Sequence, residues 1–265
     1  MDEPIKKNRP TSQYRNGDLI DSMRWTKRDD WHPENLRYPD WKKKIAIDCS
    51  PSICTSLNAV LDLIDATEHI IVNDIPGDFV EAGVYMGGSC MVIAGVLKHY
   101  DSDRAIWMYD TYQGVPEPDK KDIDHANIPL LDWYRKNKVS EKGSLWCYSH
   151  LKSVKANMKL TGYTGPINYV YGLVEDTIPE TVPNIISLLR IDVDLHLPTR
   201  HVLEHLYPKV TENGHIIFDD YGFFPQIKHT VDDYFSGTKK FFHRIDRTVV
   251  HITKLRQEII KTKKL

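Results

Sequence analysis

Two acidic clusters carry the strongest chemical signal in this chain. Asp192-Val193-Asp194 closes the apolar run Ser187–Ile191, and Asp219-Asp220 closes the apolar run His215–Phe218. A helix-like stretch and a Gly turn lie between them. If the two runs are neighbouring strands, three or four carboxylates converge at one edge of a sheet. Like charges in one cleft need a cation, a proton or an opposing charge. A hard divalent ion such as Mg2+ suits that demand, because it takes carboxylate, carbonyl and water oxygens. The alternative assigns Asp219-Asp220 to a strand-end turn and Asp192 to an ordinary loop. Two clusters after consecutive strands, at the edge where α/β folds bind ligands, favour the metal.

Three other segments have the chemistry of a nucleoside site. Glu81-Ala82-Gly83-Val84-Tyr85-Met86-Gly87-Gly88-Ser89 follows a predicted strand. Its glycines let the backbone turn tightly and approach a ligand, and the helix that follows presents free N–H groups. The spacing is not G-x-G-x-x-G, which weakens a pyrophosphate-binding reading; a tight turn without a ligand is the other. Asp110 ends the second strand, where an acid can accept hydrogen bonds from ribose hydroxyls, and Tyr112 could cover a base. In Gly172-Leu173-Val174-Glu175-Asp176-Thr177-Ile178-Pro179, Glu175 could accept from an adenine amine. Asp176 or Thr177 before Pro179 also reads as a helix cap.

One motif is a decoy. His201-Val202-Leu203-Glu204-His205 matches the H-x-x-E-H pattern of zinc peptidases, but it falls in a crossover helix without a third ligand or a cleft. The histidines His215, His229, His243 and His251 have no ligand-like spacing.

The elements that must position these groups alternate. Apolar patterning predicts strands over Asp78–Ala82, Ala105–Tyr109, Ile167–Tyr171, Ser187–Ile191 and His215–Phe218. Helices are expected over 52–73, 90–98, 146–160, 179–186, 198–208 and 227–235. Strand–helix alternation argues for a parallel, doubly wound sheet. The segment KKFFHRIDRTVVHITK breaks the pattern and reads as two strands with a turn near Asp246. Residues 1–55 form a first unit, an irregular arm or lid whose Trp25, Trp31 and Trp41 pack elsewhere; 56–265 form the main domain. The stretch 112–145 is an insertion that either covers an acceptor or is a passive surface excursion.

Composition bounds the partners. A formal net charge of −2 over 265 residues gives no general pull toward nucleic acid or anionic membrane. Lys6-Lys7 and the Lys-rich end read as solvated tails. No run approaches the ~20 apolar residues of a membrane span, and the N-terminus lacks a signal-peptide core. Four cysteines without a CxxC pair read as reduced thiols of a cytoplasmic protein.

Five blocks in order, IPGDFVEAGVYMGGS, MYDTYQGVPEPD, GLVEDTIP, LLRIDVDLHLPT and LEHLYPKVTENGHIIFDDYG, carry a family resemblance. From about Leu57 to Phe235 the chain resembles the macrocin O-methyltransferase (TylF-like) family of class I, S-adenosylmethionine-dependent sugar O-methyltransferases. The resemblance implies a Rossmann-like class I methyltransferase fold, mostly parallel, with a C-terminal antiparallel hairpin. It implies that Glu81, Gly83, Gly87 and Ser89 hold the methionine part of S-adenosylmethionine. Asp110, Thr111 and Tyr112 take the ribose side, and Gly172 and Glu175 lie near the adenine. It also places a Mg2+ or similar ion on Asp192, Asp219 and Asp220, with Asp194 in support. Asp192 is then the expected general base, being already beside the bound hydroxyl, and His196 the alternative.

The expected activity is methylation of a sugar hydroxyl on a glycosylated small molecule or glycan precursor, by a homo-oligomer, with a dimer favoured. A catechol or phenolic O-methyltransferase shares the same metal logic. A catalytically silent donor-binding protein is the rival from another class, and it should lose the acids.

Overall fold

Apolar runs that cannot face water pair into one sheet. The computed structural model describes residues 37–140, 143–238 and 240–255. Its strands are β1 Asp78–Ala82, β2 Ile106–Asp110, β3 Ile167–Tyr171, β4 Ile186–Ile191, β5 Val210–Phe218, β6 His243–Arg244 and β7 Val250–Thr253. They lie in the order β3-β2-β1-β4-β5-β7-β6. The first five pair in parallel, and the β6–β7 hairpin closes the edge antiparallel to β5. Parallel strands are covered on both faces, and β4 is buried at every position.

Helices fill the two faces. α1 Asp40–Cys49, α2 Leu57–Val72, α3 Gly88–His99 and α5 Leu151–Leu160 pack one hydrophobic cluster. α4 Leu130–Asn137, α6 Val174–Thr177, α7 His196–Leu206 and α8 Pro225–Tyr234 contribute to the other. The strand order reverses between β1 and β4, and the loops after these strands part there, leaving the crevice in which such sheets bind ligands.

The structure corrects several boundaries. Residues 40–49, expected to be irregular, are helical because tertiary contacts replace the missing periodicity. Trp41 stacks on His99 at 4.0 Å, and Lys42 reaches Asp65 at 2.6 Å and also bonds Glu68. Trp25, Trp31 and Lys6-Lys7 lie outside the described residues, as does the C-terminal tail beyond Leu255. The helix expected over 179–186 is a run of turns, since Pro179 and Pro183 lack the N–H a helix interior uses. Residues 52–56 precede α2 rather than joining it, and the Ser56 hydroxyl caps it by accepting from Ala59 N. The 112–145 insertion folds back on the sheet through α4 and buries Tyr134 and the adjoining Trp146. No helix among the described residues is long and apolar enough to cross a membrane.

Candidate active site

The turn after β1 exists because Gly83 has no side chain. Its φ is +80°, and a Cβ would lie 1.7 Å from the Asp192 carbonyl oxygen. The loops after β1 and β4 therefore touch at the switch point, and Asp192 N donates to Ala82 O at 2.8 Å. Gly87, with φ +82°, is the left-handed residue from which α3 starts.

Asp110 ties the glycine turn to β2. One carboxylate oxygen accepts from Val84 N at 2.8 Å and Tyr85 N at 3.1 Å, and the other from Tyr112 N at 2.5 Å. Burial nonetheless holds its carboxyl above the usual range, against those three bonds. Asp110 lines a cavity with Gly83, Tyr85, Thr111, Gly172 and Glu175. Glu81, Gly87, Ser89 and Tyr112 do not line it; Tyr112 is buried, with its hydroxyl on Met108 O, and packs parallel to Tyr171.

Glu81 is engaged by a buried arginine. Arg190, the next-to-last residue of β4, is buried, and its Nη1 lies 2.5 Å from Glu81 Oε1 and 2.6 Å from Asp192 Oδ2. Its Nη2 pairs with Asp219 Oδ1, which also accepts from Thr55 Oγ1 at 3.2 Å. Burial opposes the guanidinium charge, but Asp219, Asp192 and Glu81 outweigh it and hold its pKa well above the ordinary value. An arginine inside an otherwise apolar strand was the available signal, since a buried charge must be paired.

The acids at the far end of the cavity group differently from the expected set. Asp192, Asp194 and Asp220 each bring one oxygen within 4.8 Å of the others. Asp194 is turned inward by a left-handed backbone, φ +60°, and its N–H donates to Asp220 Oδ2 at 3.3 Å. Asp219 is the acid held by Arg190 instead. Burial first, then the charge of neighbouring aspartates, pushes the carboxyls of Asp194 and Asp220 well above the usual range. Asp219 is pushed up to about 7 by burial, against the pull of Arg190. Neither Asp194 nor Asp220 forms an ion pair among the described residues. An all-oxygen donor set of this kind suits a hard divalent ion such as Mg2+.

His196 is placed away from this set. Its Nδ1 lies 2.8 Å from Asp122, and it does not line the cavity. The H-x-x-E-H pair is likewise spent locally: His201 Nε2 is 2.9 Å from Ile178 O, and His205 Nδ1 2.9 Å from His201 O.

Further wall comes from the approach to α2 and from the hairpin turn expected near Asp246. Thr55 and Ser56 lead into α2, and Asp246, Arg247 and Thr248 form the turn of the β6–β7 hairpin. Ser56 Oγ bonds Asp246, which joins the two segments across the mouth. Asp246 also accepts from Thr248 N and Val249 N at 2.8 Å, fixing the turn.

Comparison with known proteins finds relatives over most of the described residues. The profile of the family described as macrocin-O-methyltransferase (TylF) matches residues 37–254. A demethyldecarbamoylnovobiocin O-methyltransferase from Streptomyces niveus is 33% identical over 169 residues, 63% of this chain and 61% of its own length. The 8-demethyl-8-(2,3-dimethoxy-alpha-L-rhamnosyl)-tetracenomycin-C 4'-O-methyltransferase of Streptomyces olivaceus is 31% identical over 58% of this chain and 56% of its own. The chain thus spans about three fifths of the length of these curated relatives. The solved structure of the O-methyltransferase NovP superposes with a TM-score of 0.68 at 29% identity, covering 77% of this chain and 83% of that one.

Proposed function

The chain belongs to the macrocin-O-methyltransferase (TylF) family, and we propose that it transfers a methyl group from S-adenosylmethionine to a hydroxyl of a sugar on a glycosylated small molecule. One observation carries the proposal: a single cavity joins the Asp110–Glu175 pocket to the Asp192–Asp194–Asp220 cluster. The rhamnosyl group in the name of the Streptomyces olivaceus relative supports a sugar acceptor.

When bound, S-adenosylmethionine supplies an electrophilic methyl group, and a divalent cation lowers the pKa of a hydroxyl beside it. The protein's own residues do the rest. Gly83, Asp110, Thr111, Gly172 and Glu175 hold the donor, with Asp110 free to accept from its ribose on the lone pairs its three backbone bonds leave. Glu81 acts indirectly, by anchoring Arg190. Asp192 and Asp220 supply oxygens for the cation.

Asp194 is the better general base than Asp192. Asp192 is drawn toward Arg190 at 2.6 Å, whereas Asp194 has no basic partner and its carboxyl is held well above the usual range. Without a basic partner, the Asp194 carboxylate keeps its lone pairs available for the acceptor proton. Asp219 keeps Arg190 and Thr55 in place, and Asp194 takes its expected position in the cluster. Bringing donor and hydroxyl together in one cavity supplies part of the rate by orientation alone.

The test is a panel of neutral glycosides and catechols, incubated with the full chain, donor and Mg2+, and read by mass spectrometry for the gain of one methylene. Methylated glycosides are the expected result. Methylation of catechols alone would transfer the function to the phenolic class. Donor binding without any product would make this a silent binding protein.

A further inference from the structure

A second group of ionisable side chains lies under the closing hairpin, away from the aspartates. β5, β7 and β6 each place one histidine on the same face of the sheet. The register fixes this: His215 pairs with Thr253 and Ile217 with His251, while His243 lies directly opposite His251. Directly opposed residues have Cβ atoms about 5 Å apart. α2 covers the stripe with Asp62 and His69, which are two helical turns apart and share a helix face.

The rings are in direct contact. His69 Nδ1 is 2.8 Å from His215 Nε2, and His215 Nδ1 is 2.7 Å from His251 Nε2. His251 Nδ1 lies 3.0 Å from Asp62 Oδ1. The other oxygen, Oδ2, is as close to that nitrogen but outside hydrogen-bond alignment, and it is buried without a partner. His69, His215, His243 and His251 all line one cavity that does not include the aspartate cluster. Burial, with the neighbouring histidines, pushes His215 down to about 3, so its ring stays neutral and its lone pair available.

We propose that His69, His215 and His243 form a binding site for a transition-metal ion of the zinc class, separate from the hard-cation site of the aspartates. Neutral imidazole nitrogens suit Zn2+ and its neighbours, whereas carboxylate oxygens suit Mg2+. With Zn–N bonds of about 2.0–2.1 Å in tetrahedral geometry, two nitrogens stand about 3.3 Å apart. The His69–His215 pair must therefore open by only about half an ångström, as the His69 proton moves from Nδ1 to Nε2 and frees a lone pair on each facing nitrogen. Three-ligand convergence is not preformed here; His243, exposed on the two-residue strand β6, turns inward to complete it, and water takes the fourth position. The ion would brace α2 against the hairpin. Both elements lead to walls of the reaction cavity, at Ser56 and Asp246.

The test uses the full chain in saturating Mg2+, which occupies the oxygen cluster, titrated with Co2+ for its tetrahedral absorption band and with Zn2+ for thermal shift. Wild type and Asp192→Asn should both bind one ion and gain melting temperature. The double variant His69→Gln/His243→Gln alters only exposed positions, with circular dichroism confirming its fold. Since losing outer partners alone costs 10–100-fold in metal affinity, losing two ligands should weaken binding by about tenfold or more. Undiminished binding in that double variant, loss of binding in Asp192→Asn, or no tetrahedral band in wild type would each overturn the proposal.

Discussion

Arg190 Nη1 lies 2.6 Å from Asp192 Oδ2 while the same nitrogen lies 2.5 Å from Glu81 Oε1. One buried guanidinium thus joins the ends of β1 and β4 and, through Asp219, of β5. Removing one member of a buried ion group strands the others, at about 3–5 kcal/mol. Arg190→Leu should lose stability on that scale in chemical denaturation. Arg190→Lys keeps the charge but not the fork, so it should fold better than Arg190→Leu yet bind Mg2+ more weakly than wild type. Equal stability of Arg190→Leu and wild type would show that the hub holds nothing together.

The acid cluster sets a pH dependence. In metal-free protein Asp219 titrates at about 7, and Asp194 and Asp220 are also raised. The unfolded chain releases these protons near 4. Between those values the folded state holds more protons, so stability falls as pH rises through the folded pKa and returns on acidification. In chelator, this effect should lower the melting temperature between about pH 4 and pH 7, read as the difference from Asp219→Asn so that histidine titration cancels. Saturating Mg2+ should shrink that drop, because the ion neutralises the carboxylates as they ionise. A melting temperature that climbs with pH in chelator contradicts the assignment.

Much of this arrangement was legible before the fold was known, and the rest depended on three-dimensional register. β1 and β3 match the apolar runs residue for residue, because each run is bounded by turn signals. β5 starts earlier than expected, since Thr211, Glu212 and Asn213 are polar and read as loop. The convergence of acids after β4 and β5 follows from strand order alone. Which acids converge does not: the left-handed turn at Asp194 and the capture of Asp219 by Arg190 decide it. The histidine stripe was invisible for a similar reason, because cross-strand pairing, not spacing, brings His215, His243 and His251 to one face.

His196 provides a check on the choice of base. It is bonded to Asp122 and absent from the cavity wall. A general base contributes about 10²–10⁴-fold, so His196→Gln should keep turnover within a few-fold of wild type. A loss of about a hundredfold with unchanged donor affinity would restore His196 to the reaction.

Gly83→Ala addresses the contact between the two halves of the site. The added Cβ meets the Asp192 carbonyl oxygen at a φ that favours glycine. Strained backbone of this kind costs about 1–3 kcal/mol, with the clash in addition. Calorimetry should report weaker donor binding and a lower melting temperature together. Unchanged donor affinity would mean that the turn does not shape the donor pocket.

The most direct measurement is the rate of methyl transfer to a glycoside acceptor, at saturating donor, as free Mg2+ is varied from chelator to excess, for wild type and Asp194→Asn. Wild-type turnover should vanish in chelator and return with Mg2+. Asp194→Asn should lose about a hundredfold or more in turnover while donor affinity persists. Full turnover in chelator, or in Asp194→Asn, would contradict the account.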